Sequence, residues 1–128
     1  MGKEEYLLKL SMMEQEANKI EEQIKIVNQQ VAELESLKLS VKKIDGSEKE
    51  ILAPLGKGIF VKSDIKDKNL FVNIGAGVVV KKKPEEVIGL IDRQLDELNN
   101  IREELVNALE GVNAGVQELV EQARKERD

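Results

Sequence analysis

Two stretches of heptad-patterned sequence, Tyr6 to Ile44 and Ile88 to Ala123, stand at opposite ends of a chain of 128 residues, with a short strand-like stretch between them. In the first, apolar residues fall at Tyr6, Leu10, Met13, Ala17, Ile20, Ile24, Val27, Val31 and Leu34, so the spacing alternates four and three without a miss. That repeat of about 3.5 residues is a coiled-coil seam. The positions between are mostly Glu, Gln, Lys and Asn, which suit a solvated outer face and not the wider apolar stripe of a globular core helix. Beyond Leu34 the series continues through Leu37, Val41 and Ile44. One step of four has become three, and a local slip of the seam is expected there.

The second series reads Ile88, Ile91, Leu95, Leu98, Arg102, Leu105, Leu109, Val112, Val116, Leu119 and Ala123, with Arg102 alone interrupting the apolar run. Pro84 suits a first helical position, where its missing N–H is no loss, and Glu85 and Glu86 complement the positive end of the helix dipole. The helix is therefore expected to begin at or next to Pro84. Each segment holds roughly 40 residues, enough for a helix about 60 Å long. A two-in-seven stripe is buried only against a partner, and the nearest partner is the other half of the same chain. An antiparallel intramolecular hairpin is expected, with intermolecular pairing as the rival, and the chain ends would meet at a tip.

The middle of the chain changes period. Ile51-Leu-Ala-Pro-Leu55 is a short apolar run, Gly56-Lys-Gly58 marks a turn, and Ile59, Phe60 and Val61 open a strand reaching Ile65. A second set follows: a turn at Asp67-Lys-Asn69, a strand from Leu70 to Ile74 carrying Phe71, Val72 and Ile74, a turn at Gly75-Ala-Gly77, and a last strand with Val78, Val79 and Val80. β-branched and aromatic residues punctuated by glycine indicate two hairpins or a four-stranded meander. Pro54 places the first strand at an edge or makes it begin late. Four short strands leave much apolar surface in water unless something covers it, so the strands are expected to build a shared oligomeric body.

Charge and composition exclude several functions. From Lys38 to Lys83 there are eleven Lys against five Asp or Glu, whereas the flanking arms carry nine basic and twenty acidic residues. The body is basic and the arms are acidic. Lys81, Lys82 and Lys83 could serve as a phosphate-contact patch, but no recognition helix or stacking aromatic accompanies them, and edge lysines that discourage sheet aggregation are the better reading. With no His and no Cys, the usual general base, thiol nucleophile and transition-metal ligands are missing. Gly75 and Gly77 lack the third glycine of a dinucleotide fingerprint, since position 80 is Val80. Lys57 is followed by Gly58 where a phosphate loop needs Ser or Thr. Neither an enzyme nor a cofactor is expected. No apolar run approaches the roughly 18 residues of a membrane span, and without a secretory pattern the chain is expected to be soluble and intracellular.

The order helix, two hairpins, helix, with Leu52-Ala-Pro-Leu-Gly-Lys-Gly-Ile-Phe-Val-Lys62 and Val72-Asn-Ile-Gly-Ala-Gly-Val-Val-Val-Lys-Lys82, closely resembles the α-class subunit of prefoldin, in its archaeal type, over nearly the whole chain. Two hairpins, where the β class has one, carry the resemblance to the α class. The resemblance implies one α+β unit over 1–128: an N-terminal coiled-coil helix in 1–45, two β-hairpins in 50–83 that assemble into an oligomeric β-barrel body, and a C-terminal coiled-coil helix in 84–128. It implies an ATP-independent cytoplasmic holdase in a hexamer of two α and four β subunits. Its coiled coils hold non-native polypeptides and pass them to a group II chaperonin, with no nucleic acid or membrane as partner. One departure from the family pattern is the sequence stopping soon after the seam, without a long tail.

For such a holdase the client site is expected where the arm frays and apolar residues exceed what one partner helix covers. Near the N-terminal tip the seam residues Tyr6, Leu10 and Met13 have extra apolar neighbours at Leu7, Leu8 and Met12, and Val116, Leu119 and Val120 lie across the arm. Gly111 and Gly115 weaken the helix there by about 1 kcal/mol each. Tyr6, Leu7, Leu8, Met12, Met13, Val116, Leu119 and Val120 are the candidate client contacts. Ile59, Phe60, Val61, Phe71, Val72, Ile74, Val78, Val79 and Val80 are the candidate assembly contacts. Two other readings stand beside this one: a filament or scaffold self-assembling through hairpin edges, and a coiled coil that binds nucleic acid with strong salt dependence.

Overall fold

The computed structural model describes residues 2–46 and 49–127. Helix α1 (Lys3–Asp45) is followed by strands β1 (Glu50–Gly56), β2 (Ile59–Asp64), β3 (Leu70–Gly75) and β4 (Val78–Lys82), and helix α2 (Pro84–Arg127) closes the chain. The contacts divide into two compact units, one of Met1–Val31 with Glu97–Asp128 and the other of Ala32–Asp96.

In the first unit the early part of α1 and the late part of α2 run antiparallel. Ile20, Val27, Val31 and Leu119 are buried, while Leu10, Met13, Ala17, Ile24, Leu98, Leu105, Leu109, Val112 and Val116 are half-buried. These are the seam positions read from the heptads. Arg102 occupies its seam position half-buried, donating from Nη1 to Asn28 Oδ1 of the facing helix at 3.0 Å and from Nη2 to Asn99 Oδ1 at 2.6 Å. A polar group placed in an apolar seam favours the register that satisfies it, because any other leaves the guanidinium without Asn28, although Asn99 on its own helix stays in reach.

In the second unit the seam differs from the expected one. Leu37 is 48% exposed, and Lys38 takes the inward position instead, half-buried and ion-paired to Asp92 at 2.6 Å. The alternation of threes and fours thus continues through Lys38 to Val41, which is 3% exposed, and the shortened step comes one stage later, between Val41 and half-buried Ile44. The physical reason is that a lysine can bury its methylene stem while its ammonium reaches a carboxylate, here that of Asp92 on α2. On α2, Ile91 is 4% exposed.

Helix ends follow from local chemistry. The Lys83 carbonyl accepts from Glu86 N and Val87 N, opening α2 with Pro84 in its first position as expected. At the end of α1, Lys42 and Lys43 complement the negative end of the dipole, and Lys68 Nζ donates to the Gly46 carbonyl at 2.8 Å.

The strands form two separate antiparallel hairpins, β1 with β2 and β3 with β4, so the meander is excluded. Both use one template. Lys57-Gly58 and Ala76-Gly77 turn with positive φ throughout (49°, 78°, 51° and 74°), which is the type I′ geometry that matches strand twist. A bulge precedes each turn, skipping Leu55 between Pro54 and Gly56 and Ile74 between Asn73 and Gly75. Gly75 sits at φ 109°, its N–H donated to Asn73 Oδ1 at 2.9 Å. A side chain at that φ is strained whatever space is open to it. Gly75→Ala is expected to destabilise the second hairpin by about 1–2 kcal/mol, and Ala76→Gly to relieve strain by less than about 1 kcal/mol. Amide hydrogen exchange at Val72 and Val80 reads both: faster in the first variant, unchanged or slower in the second.

Candidate functional site

Besides single exposed positions such as Ile26, Leu39 and Ile101, apolar residues lie open in two sets, each within its own unit. At the end of the first unit where α1 begins and α2 finishes, Leu7 is 51% exposed, Leu8 62%, Met12 60% and Val120 37%. The other candidates from the same stretch face the seam: Tyr6, Met13 and Val116 are half-buried, and Leu119 is buried. Gly115 lies against Met13, and a Cβ there would stand 3.6 Å from the methionine methyl, an ordinary van der Waals contact. Tyr6, Leu7 and Val120 come together around a groove of about 580 Å³, joined by Ala123 and by Lys3, Arg124 and Glu126. Lys3 and Arg124 were not among the residues expected here. The signal was present, because each lies one turn from an exposed apolar neighbour, Lys3 from Leu7 and Val120 from Arg124.

In the second unit the hairpins turn apolar side chains to solvent. Ile59, Phe60, Val61, Phe71, Ile74, Val78 and Val79 are between 45% and 67% exposed, while Val72 and Val80 face each other half-buried. Leu52 and Leu55, at 65% and 70%, are equally open and were not among the residues singled out, although their strand was recognised. Cross-strand pairing puts Leu52, Pro54 and Phe60 on one face of the first hairpin, and Phe71 and Val79 on one face of the second. Two-stranded sheets with so many open apolar groups leave a large apolar area in water.

The lysines of the last strand are held locally. Lys81 pairs with Asp67 at 2.8 Å and lies 5.9 Å from the centre of the Phe71 ring, and Lys82 reaches Glu86 at 3.9 Å. The Lys81 ammonium and then the Asn69 backbone N–H hold the Asp67 carboxyl below its ordinary value of 3.8. What this clasp adds to stability is complete above that ordinary value and is lost as pH falls through the lowered one. Among the described residues no group of acidic, His or Cys side chains is arranged to hold a metal ion, and no helix is long and apolar enough to cross a membrane.

Two heptad-patterned helices with two separate β-hairpins between them in the chain place it in a class: it belongs to the prefoldin subunit family, which matches residues 13–127, and is thereby a chaperone subunit. Within that family its likeness is to archaeal alpha subunits. It is 32% identical to the prefoldin subunit alpha of Thermofilum pendens over 85% of this chain and 87% of that one. It is 26% identical to that of Pyrococcus horikoshii over 89% and 80%. Among solved structures, filamentous PFD from Methanocaldococcus jannaschii, determined by cryo-EM, covers 91% of this chain and 93% of its own at 22% identity and a TM-score of 0.49.

Proposed function

We propose that the chain is the α-type subunit of an ATP-independent cytoplasmic holdase. Its hairpins join β-type prefoldin subunits in a hexamer of two α and four β chains. Its open helical end holds non-native polypeptides, which are released to a group II chaperonin, and no catalysis is involved. The observation that carries this reading is the exposure of Leu7, Leu8, Met12 and Val120 beyond the seam at the end of the first unit.

Physical considerations favour a weak, shared grip. Fully burying a Leu or Met side chain contributes about 1.5–3 kcal/mol, and groups already half covered give less. One end therefore holds a client loosely, and several ends on one assembly multiply the effect through effective concentration. Methionine suits a site that must take many shapes, since its unbranched thioether repacks easily.

Replacing Leu7, Leu8, Met12 and Val120 together by Ser tests the reading. Suppression of aggregation of a denatured reporter protein is expected to fall to near the level without chaperone, while the native mass of the assembly stays the same. Unchanged suppression in an intact assembly would overturn the proposal.

A further inference from the structure

The groove at the open end of the first unit is not simply apolar. Tyr6, Leu7, Val120 and Ala123 line it together with Lys3, Arg124 and one carboxylate, Glu126. Both cations are exposed, and among the described residues neither is held in an ion pair. Five other lysines are held in ion pairs: Lys9 with Glu5, Lys38 with Asp92, Lys62 with Glu50, Lys81 with Asp67 and Lys82 with Glu86. Two free cations beside apolar lining residues form a surface complementary to an apolar group with a carboxylate beside it.

The arms as a whole carry excess acid, which at long range favours basic clients. Screening decides between the two effects. At physiological salt the Debye length is about 8 Å, so acid further along the helices is largely screened, and a bound segment responds chiefly to Lys3 and Arg124 in the lining, with Glu4 and Glu121 beside the groove but outside its lining.

We propose that this groove selects non-native segments in which apolar side chains are flanked by Asp or Glu, in preference to the same segments flanked by Lys or Arg. The inference rests on the reading of this end as the client-holding site and adds the class of segment it takes. Leu7 and Val120 supply adhesion, and Lys3 and Arg124 supply the choice. An exposed ion pair contributes roughly 1.5- to 5-fold in affinity, so the two together give a preference of about fivefold, weakened by salt.

The test compares two synthetic peptides with one shared apolar core, flanked by Glu in one and by Lys in the other. Binding to the full chain in its assembly is followed by fluorescence anisotropy at low and at high salt. The wild-type chain is expected to bind the Glu-flanked peptide about fivefold more tightly, the difference shrinking as salt rises. Lys3→Glu with Arg124→Glu is expected to reverse the order. Equal binding of both peptides, or an order unchanged by the charge reversal, overturns the selection while leaving the holdase reading intact. Leu7→Ser with Val120→Ser is expected to weaken both peptides alike. If that variant binds as the wild type does, the client-holding reading of this end fails, and the selection fails with it.

Discussion

Ile91→Ala is expected to lower the stability of the chain by about 2–4 kcal/mol, against a total of about 5–15 kcal/mol for an ordinary domain. Ile91 is 4% exposed, and the seam is one layer deep, with no side chain among the described residues fully enclosed. A cavity there has little else to fill it. Lys38→Ala is expected to cost about 1 kcal/mol, from the lost stem packing and the lost pair with Asp92. Leu37→Ala, at a residue 48% exposed, should stay within about 0.5 kcal/mol. Urea unfolding followed by circular dichroism gives all three. The order matters more than the values: if Leu37→Ala were the most damaging, the seam would run through Leu37 and not through Lys38.

Phe60→Ser combined with Phe71→Ser has its large effect on assembly, not on the isolated fold. The two rings are 56% and 67% exposed, so removing them takes little from the chain alone. If the hairpins form the interface with other prefoldin subunits, each ring is an aromatic anchor worth about 2 kcal/mol or more. Losing both is expected to weaken association by about a thousandfold or more. Native mass spectrometry of the variant with its partner subunits should show free chains where the wild type shows a closed assembly, with far-UV circular dichroism unchanged. An undiminished assembly would remove the hairpin faces from the interface.

Much of the architecture was legible because its signals are local or strictly periodic. The heptads of α2 read correctly through Arg102, since one polar residue does not erase a series of threes and fours. Pro84 and the two acidic residues after it mark a helix start in any context. The glycine pairs around Lys57 and Ala76 announce turns with positive φ, and the strands on either side follow. The exposed residues were partly legible too. Leu7, Leu8, Met12 and Val120 are among the apolar groups left over once the seam has taken its share, as are Ile26, Leu39 and Ile101, and that subtraction needs no coordinates.

The choice between Leu37 and Lys38 was not legible in the same way. Both continue the heptads acceptably, and an apolar residue is the natural preference for an inward position. What reverses that preference is Asp92 on the facing helix, whose carboxylate makes a lysine stem acceptable there. The same holds for Arg102, whose acceptors include Asn28, and for Lys68, which closes the end of α1. Each of these partners is remote in sequence, and nothing local announces it.

By itself the amino-acid sequence determined the order of elements, the periodicity that makes two helices seek each other, and the hairpin turns, because backbone propensity and spacing act over a few residues. Tertiary structure alone decided which polar groups enter the seam, how the strands divide into two sheets, and which cations stand free beside the apolar end. Those outcomes depend on the position of a second group brought close by folding, and electrostatic pairing and burial have no meaning until that group is there.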